Sequence, residues 1–145
     1  MSNDSNWQST DSHYLLTAIA LFMIVIGVAL IAITTLLPFS LVNGDVFTWQ
    51  YLLARLDLSL LSDDSWTDVP RNILLFIPLG MGISALMFSL GKSEQQTIIV
   101  VLLLGAGMTI LVETIQVFLT ARSPELSDII ANTVGVLLGH FIIRR

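Results

Sequence analysis

The feature that most constrains this chain is a run of 23 residues, Leu15 to Leu37, without a charged side chain. At about 1.5 Å per residue, a helix of this length crosses a hydrocarbon layer roughly 30 Å thick. A cleaved signal peptide is the alternative interpretation. However, the preceding leader carries Asp4 and Asp11 but no lysine or arginine, and the apolar run is too long. We therefore predict a retained transmembrane helix after a polar leader, residues 1–14.

Three further apolar segments have the length of a membrane span. Backbone groups in lipid must be hydrogen-bonded within the chain, so such segments are expected to be helical. Ser123 and Pro124 mark the start of the last segment, as an N-cap and as the first helical residue. The sequence predicts an all-α integral membrane protein, a compact bundle of four transmembrane helices forming one domain over residues 15–145. The predicted spans are about 15–37, 72–90, 97–119 and 124–143.

The composition agrees with this class and narrows the partners. Hydrophobic residues make up 54% of the chain and charged residues 12%, whereas soluble proteins carry about a quarter charged residues. The net charge of -5 gives no basic surface for nucleic acid. The absence of cysteine excludes disulfides, thiolate metal sites and a cysteine nucleophile. We expect the lipid bilayer as the main partner, with no nucleic acid, no metal and no cofactor.

The long connection after the first span contains "FTWQYLLARLDLSLL", residues 47–61, in which leucine and aromatic residues alternate with few charges. Trp49 and Tyr51 are residue types that anchor segments at the membrane interface. This pattern predicts either a short helix lying in the interface or an ordinary amphipathic loop.

Four spans put both termini on one side of the membrane, but the positive charges hardly decide which side. Three basic residues fall on each side. Arg71 and Arg122 stand beside polar groups of the spans, so function rather than the positive-inside rule can explain their position. We therefore predict a multi-pass protein of the cell membrane with cytoplasmic termini. The two sets are Lys92, Arg144 and Arg145 on the terminal side, and Arg55, Arg71 and Arg122 on the other.

Polar side chains interrupt the spans near one end of the predicted bundle. The alternating direction of the spans brings the entrance of the second, the exit of the third and the entrance of the fourth to one leaflet. Spacings of three and four residues also place Glu113 with Gln116, and Asp128 with Asn132, on shared helix faces. A charge inside a span costs at least about 2.5 kcal/mol and tends to mark a site. The residues concerned are Asp68, Arg71, Asn72, Glu113, Gln116, Arg122, Asp128 and Asn132.

Small residues predict how the helices pack. Gly135 and Gly139 continue the polar face of the fourth span and allow a close approach, either within the chain or in a homodimer. In the second span, Pro78 removes a helical hydrogen bond and predicts a kink. Residues spaced four apart in that span form one helix face, mostly small or polar, that can turn toward the fourth span. Its members are Asn72, Phe76, Gly80 and Ser84.

Two stretches resemble the VanZ-like family of small integral membrane proteins: "DVPRNILLFIPLG" at 68–80 and "ETIQVFLTARSPELSDIIANTVGVLLG" at 113–139. The family pattern has an Asn, an apolar run and Phe-x-Pro-x-Gly, followed by Glu-x-x-Gln, an Arg and Asp-x-x-x-Asn-x-x-Gly. The resemblance covers residues 68–139. The matching positions are Asn72, Phe76, Pro78, Gly80, Glu113, Gln116, Arg122, Asp128, Asn132 and Gly135.

The resemblance implies a role in the cell envelope. The family takes its name from a member linked to low-level resistance to teicoplanin, a glycopeptide antibiotic that binds cell-wall precursors. Other members occur near envelope polysaccharide genes. A contribution to antibiotic resistance is thereby implied, but no agreed reaction comes with the family name.

One functional hypothesis is a hydrated cavity, open to the outer leaflet, that binds a polyprenyl-linked glycan precursor or another phosphorylated lipid. Arg71 and Arg122 would hold the phosphate, because guanidinium groups fit phosphate oxygens. Glu113 and Asp128 would accept hydrogen bonds from sugar hydroxyls or relay a proton. The remaining ligand-binding candidates are Asp68, Asn72, Gln116 and Asn132.

Three alternatives stay open. Glu113 and Asp128 would be the acid and base of a transferase or hydrolase acting on a lipid-linked sugar. The protein would otherwise be an assembly subunit whose polar stripe docks on a larger envelope enzyme. In a purely structural role, Glu113 would pair with an arginine, or bond as a neutral acid to Gln116 and Asn132, and lock the helices together. Whether the chain is an enzyme is left undecided by the sequence.

Overall fold

A computed structural model describes residues 4–44, 48–55, 65–120 and 124–144. The named elements of these residues are all helices, in agreement with the predicted all-α class. They are α1 (Asp4–Leu36), α2 (Trp49–Arg55), α3 (Ser65–Ser89), α4 (Glu94–Gln116) and α5 (Leu126–Arg144).

Four of these helices are long and apolar enough to cross a membrane, which confirms the predicted bundle of four spans. Their spanning parts are Ser12–Leu36, Thr67–Ser89, Glu94–Gln116 and Leu126–Arg144.

The spans differ from the predicted ones by one to five residues at every end, most at the start of the second, which is Thr67 instead of about residue 72. Two of the other differences bear on the polar residues. The helix α4 ends at Gln116 because the next residues pair with the segment that follows α1. Val42 donates its backbone N–H to Phe118 O over 3.0 Å, and Thr120 donates to Ser40 O over 2.9 Å. The helix α5 begins at Leu126, so Pro124 precedes the helix and is not its first residue. The predicted cap, Ser123, lies outside the described residues.

The helix α3 is the centre of the bundle, since it packs against both α1 and α5. The backbones of α3 and α5 touch at glycines. A Cβ atom on Gly80 would run into the carbonyl group of Val136, and one on Gly139 would run into the carbonyl of Ile77. Gly135 lies just as close to the carbonyl of Ile73. The glycine stripe of α5 thus packs within the chain.

The repeating face of α3 is the surface that meets α5. Phe76 and Ser84 are fully buried, and Asn72 is 3% exposed. Ser84 Oγ lies 3.1 Å from Nδ1 of His140, which is itself buried on α5. The helix continues unbroken through Pro78. The packing of this face against α5 aligns the start of α3 with the start of α5, where the polar residues lie.

The short helix α2 realises the helical alternative for the first connection. Its first turn is closed by Thr48, whose Oγ1 accepts a hydrogen bond of 3.1 Å from the backbone N–H of Tyr51. At its end, Arg55 donates through Nη2 to the carbonyl oxygens of Leu119, at 2.5 Å, and Gln116, at 3.4 Å. The helix is therefore fixed to the C-terminal end of α4. The later part of the sequence segment, residues 56–61, lies outside the described residues.

Candidate functional site

A polar cluster forms where three helix ends meet. The antiparallel order of the helices puts the start of α3, the end of α4 and the start of α5 at the same end of the bundle. We define the polar cluster as those polar side chains predicted from the sequence at these ends that lie among the described residues. They are Asp68, Arg71, Asn72, Glu113, Gln116, Asp128 and Asn132.

Glu113 is buried, with 6% of its surface exposed, and it contacts the start of α5. Its Oε2 accepts a hydrogen bond of 3.0 Å from the backbone N–H of Glu125, the residue before the helix. Backbone N–H groups at a helix start lack partners within the helix, and the helix dipole favours an anion there. Glu113 on α4 therefore caps α5.

Two amide side chains connect further pairs of helices. Gln116 donates through Nε2 to the backbone carbonyl of Thr35 over 3.2 Å, which joins the ends of α4 and α1. Asn132 donates through Nδ2 to Thr109 Oγ1 over 2.7 Å, which joins α5 to α4 one helical turn deeper. Both amides are buried. The cluster thus reaches from the edge of the bundle into its interior.

The start of α3 supplies the third side of the cluster. The buried side chain of Asn72 is hydrogen-bonded to the carboxylate of Asp128 on α5. Arg71 forms an ion pair of 3.1 Å with Asp68, one turn earlier on the same helix, and its side chain is 48% exposed. A half-exposed pair of this kind adds little stability, so Arg71 is available for another anion. Arg122, the second predicted phosphate ligand, lies outside the described residues.

Four buried oxygen atoms of the cluster have no hydrogen-bond partner among the described residues. They are Oε1 of Glu113, Oε1 of Gln116, Oδ1 of Asp128 and Oδ1 of Asn132. Burying a polar atom without a partner costs about 1–3 kcal/mol. All four are acceptors, so the groups that would satisfy them are donors: hydroxyl, ammonium or guanidinium groups, or water.

The electrostatic balance of the described cluster is acidic. Glu113 and Asp128 lie close enough to repel each other, and Glu125 adds a third carboxylate beside them. Asp68 also acts on Asp128, while Arg71 offsets part of this charge. Like charges at short distance are unfavourable unless a cation or a donor comes between them. The described residues offer no group of three or more His, Cys, Asp or Glu side chains suited to a metal ion.

The described hydrogen bonds differ from two of the three arrangements in the structural alternative; the third, a pair between Glu113 and Arg122, lies outside the described residues. Glu113 bonds to a backbone N–H and not to Gln116 or Asn132. Arg71 pairs with Asp68 instead of Glu113. The physical reason is that the start of α5 offers Glu113 a backbone N–H and the helix dipole, while Asp68 lies within one turn of Arg71. The histidine His140 lies toward the other end of α5, as its sequence position predicts.

Three residues outside the predicted site also make contacts in this region: Thr35, Thr109 and Arg55. Thr35 contributes its backbone carbonyl, a group that every residue has and that a sequence therefore cannot single out. Thr109 is one of several hydroxyl residues in apolar segments, and its spacing alone did not distinguish it. Arg55 had a visible signal, because it is the lone basic residue in the apolar stretch 47–61. Its charge bears on the topology, and its guanidinium also binds the end of α4.

These features define a class: a polytopic α-helical membrane protein with a buried polar cluster shared by three spans. The chain belongs to the VanZ/LLP1 family, whose family model matches residues 9–145. The match thus includes the first span and the long connection, beyond the stretch 68–139 that carries the recognisable motifs. Comparisons with curated proteins and with solved structures gave no match.

Proposed function

We propose that the polar cluster binds a phosphorylated, hydroxyl-bearing lipid of the cell envelope, such as a polyprenyl-linked glycan precursor. The observation that carries this proposal is the set of four buried acceptor oxygens without a donor among the described residues. A sugar headgroup presents several hydroxyl donors on one rigid ring. Each oxygen could thereby gain a partner, which would remove a cost of about 1–3 kcal/mol per atom.

Charge complementarity supports the phosphate part of the proposal. Arg71 is half-exposed and uses few of its five donors on Asp68. Guanidinium groups hold phosphate oxygens through paired hydrogen bonds. The role of Arg122 as a second phosphate ligand rests on its position in the sequence. Together these cations would bring an anionic group beside carboxylates that would otherwise repel it.

Lipid retention tests the proposal. The protein is extracted in its native lipids, and the retained lipids are measured by mass spectrometry relative to the bulk membrane. We expect the parent to be enriched in a phosphorylated glycolipid, and Arg122→Ala to lose at least about 90% of that enrichment. Arg144→Ala is the matched control, since Arg144 pairs with Glu94 at the opposite end of the bundle. No enrichment in the parent, or equal enrichment in both variants, would contradict binding and favour a packing or assembly role.

The same proposal extends to glycopeptide resistance. Teicoplanin binds cell-wall precursors, so a membrane protein that binds a precursor can lower the amount exposed to the antibiotic. We propose that the protein reduces sensitivity to teicoplanin by this route. A strain that expresses Arg122→Ala should then be as sensitive as a strain lacking the protein, while Arg144→Ala retains the protection.

We also propose that the polar cluster faces the outer leaflet and that both termini are cytoplasmic. This orientation places the cluster where a precursor becomes available to envelope enzymes. A reporter fused after Arg145 tests it. We expect signal from a reporter that is active in the cytoplasm and none from a reporter that requires export; the opposite result would reverse the orientation.

A further inference from the structure

An apolar groove runs between α1 and α4, on the surface of α3. The two outer helices make few contacts with each other, so α3 forms the floor between them. The groove is partly open and has a volume of about 350 Å³. Its walls and floor include Ile24 and Val28 on α1, Leu79 and Ile83 on α3, and Gly107 and Leu111 on α4.

The size of the groove limits its occupant. Leu103 and Leu111, which line the groove, are more than half exposed on a spanning helix, so hydrocarbon chains of the bilayer lie against it. The volume falls within the range of roughly 300–1,000 Å³ that is usual for small-molecule sites. A slender, flexible and apolar ligand fits these limits.

The position of the groove connects it to the polar cluster. Its walls, α1 and α4, are joined at one end by the bond from Gln116 to the carbonyl of Thr35. Leu111 and Gln116 are five residues apart, or about 7.5 Å along the helix axis. Arg55 lies at the same end of α4, and its buried Nε has no partner among the described residues. On α4, the groove thus ends about one and a half turns before Gln116, whose carbonyl oxygen accepts from Arg55.

We propose that this groove binds one hydrocarbon chain of a phosphorylated lipid, lying along α4 with its headgroup toward Arg55 and the polar cluster. The headgroup part rests on the proposed function, whereas the chain part depends only on the groove. Apolar side chains alone surround the chain, so this site would select for length and flexibility rather than for hydrogen-bonding groups.

Gly107 gives a direct test, because it lines the groove and a Cβ atom there would meet no other atom within 4 Å. Gly107→Phe should fill the groove without disturbing helix contacts, and removing a glycine favours the helix. Val134→Phe is the control, since Val134 is exposed on α5 and does not line the groove. Gly107→Leu replaces Gly107→Phe if the larger side chain lowers the yield of monodisperse protein.

Two probes separate the chain from the headgroup: polyprenyl phosphate and the matching polyprenol, which lacks the phosphate. Binding to purified protein is measured by native mass spectrometry. We expect Gly107→Phe to lower binding of both probes at least fivefold, and Val134→Phe to change neither. Arg71→Ala, which removes the described cation of the polar cluster, should lower binding of polyprenyl phosphate alone.

Each outcome has a distinct meaning. Unchanged binding of both probes to Gly107→Phe would overturn the groove proposal, whatever Arg71→Ala does. Loss of both probes in Gly107→Phe with no effect of Arg71→Ala would retain the groove and reject the phosphate site. A dimeric parent that becomes monomeric in Gly107→Phe would assign the groove to an interface between copies and would overturn the lipid proposal.

Discussion

Gly80→Ala is expected to destabilise the bundle by at least about 2 kcal/mol, although it adds a single methyl group. The new Cβ atom would collide with the backbone carbonyl of Val136, which cannot rotate away as a flexible side chain would. The two central helices would have to separate, and overpacking of this kind costs typically about 1–3 kcal/mol. Unfolding with increasing SDS in mild detergent micelles measures the change.

Gly107→Ala is the matched control for this experiment, since both glycines lie within spanning helices. The added methyl at position 107 meets no atom within 4 Å, and alanine is favoured over glycine in a helix by up to about 1 kcal/mol. We therefore expect this variant to be as stable as the parent or more so. Equal stability of the two alanine variants would show that α3 and α5 do not approach as closely as described.

Glu113→Ala is expected to lower the free energy of unfolding by about 1–3 kcal/mol. The substitution removes the acceptor for the part-buried N–H of Glu125, and a donor left without a partner away from water costs this amount. Glu113→Gln retains an acceptor oxygen at the same place. It should therefore lose less than about 1 kcal/mol, while removing the negative charge at the start of α5.

The comparison of these two variants separates packing from binding. Under the proposed function, Glu113→Gln is folded and yet retains less glycolipid, because the amide replaces one acceptor oxygen by a donor. Thr114→Ala is the control on the same helical turn, with an exposed hydroxyl bonded only to its own helix. It should change stability by no more than about 0.5 kcal/mol. A Glu113→Ala variant as stable as Thr114→Ala would rule out a capping role.

Much of this architecture could be predicted because the bilayer restricts which backbone conformations a chain can adopt. Long uncharged runs must be helices, and consecutive helices alternate in direction, so the start of α3, the end of α4 and the start of α5 meet. The four-residue repeat from Asn72 to Ser84 also identified the face of α3 that packs on α5. Both inferences follow from backbone geometry and need no knowledge of particular contacts.

The details of the cluster could not be predicted, because they depend on backbone groups and on irregular segments. The partner of Glu113 is a backbone N–H, and the partner of Gln116 is a carbonyl, and neither has a sequence signature. The end of α4 is set by pairing between two connections distant in sequence. Sequence patterns specify which side chains share a face but not which backbone atoms lie opposite them.

The glycine contacts between α3 and α5 also set the axial register of the two helices. Gly80, Gly135 and Gly139 each lie against a carbonyl group of the opposite helix, so a slip by one residue would drive a side chain into that carbonyl. Such a slip would move one helix by about 1.5 Å, enough to break a hydrogen bond such as that between Asn72 and Asp128. These three glycines thereby fix the relative axial position of polar side chains, such as Asn72 and Asp128, at the starts of the two helices.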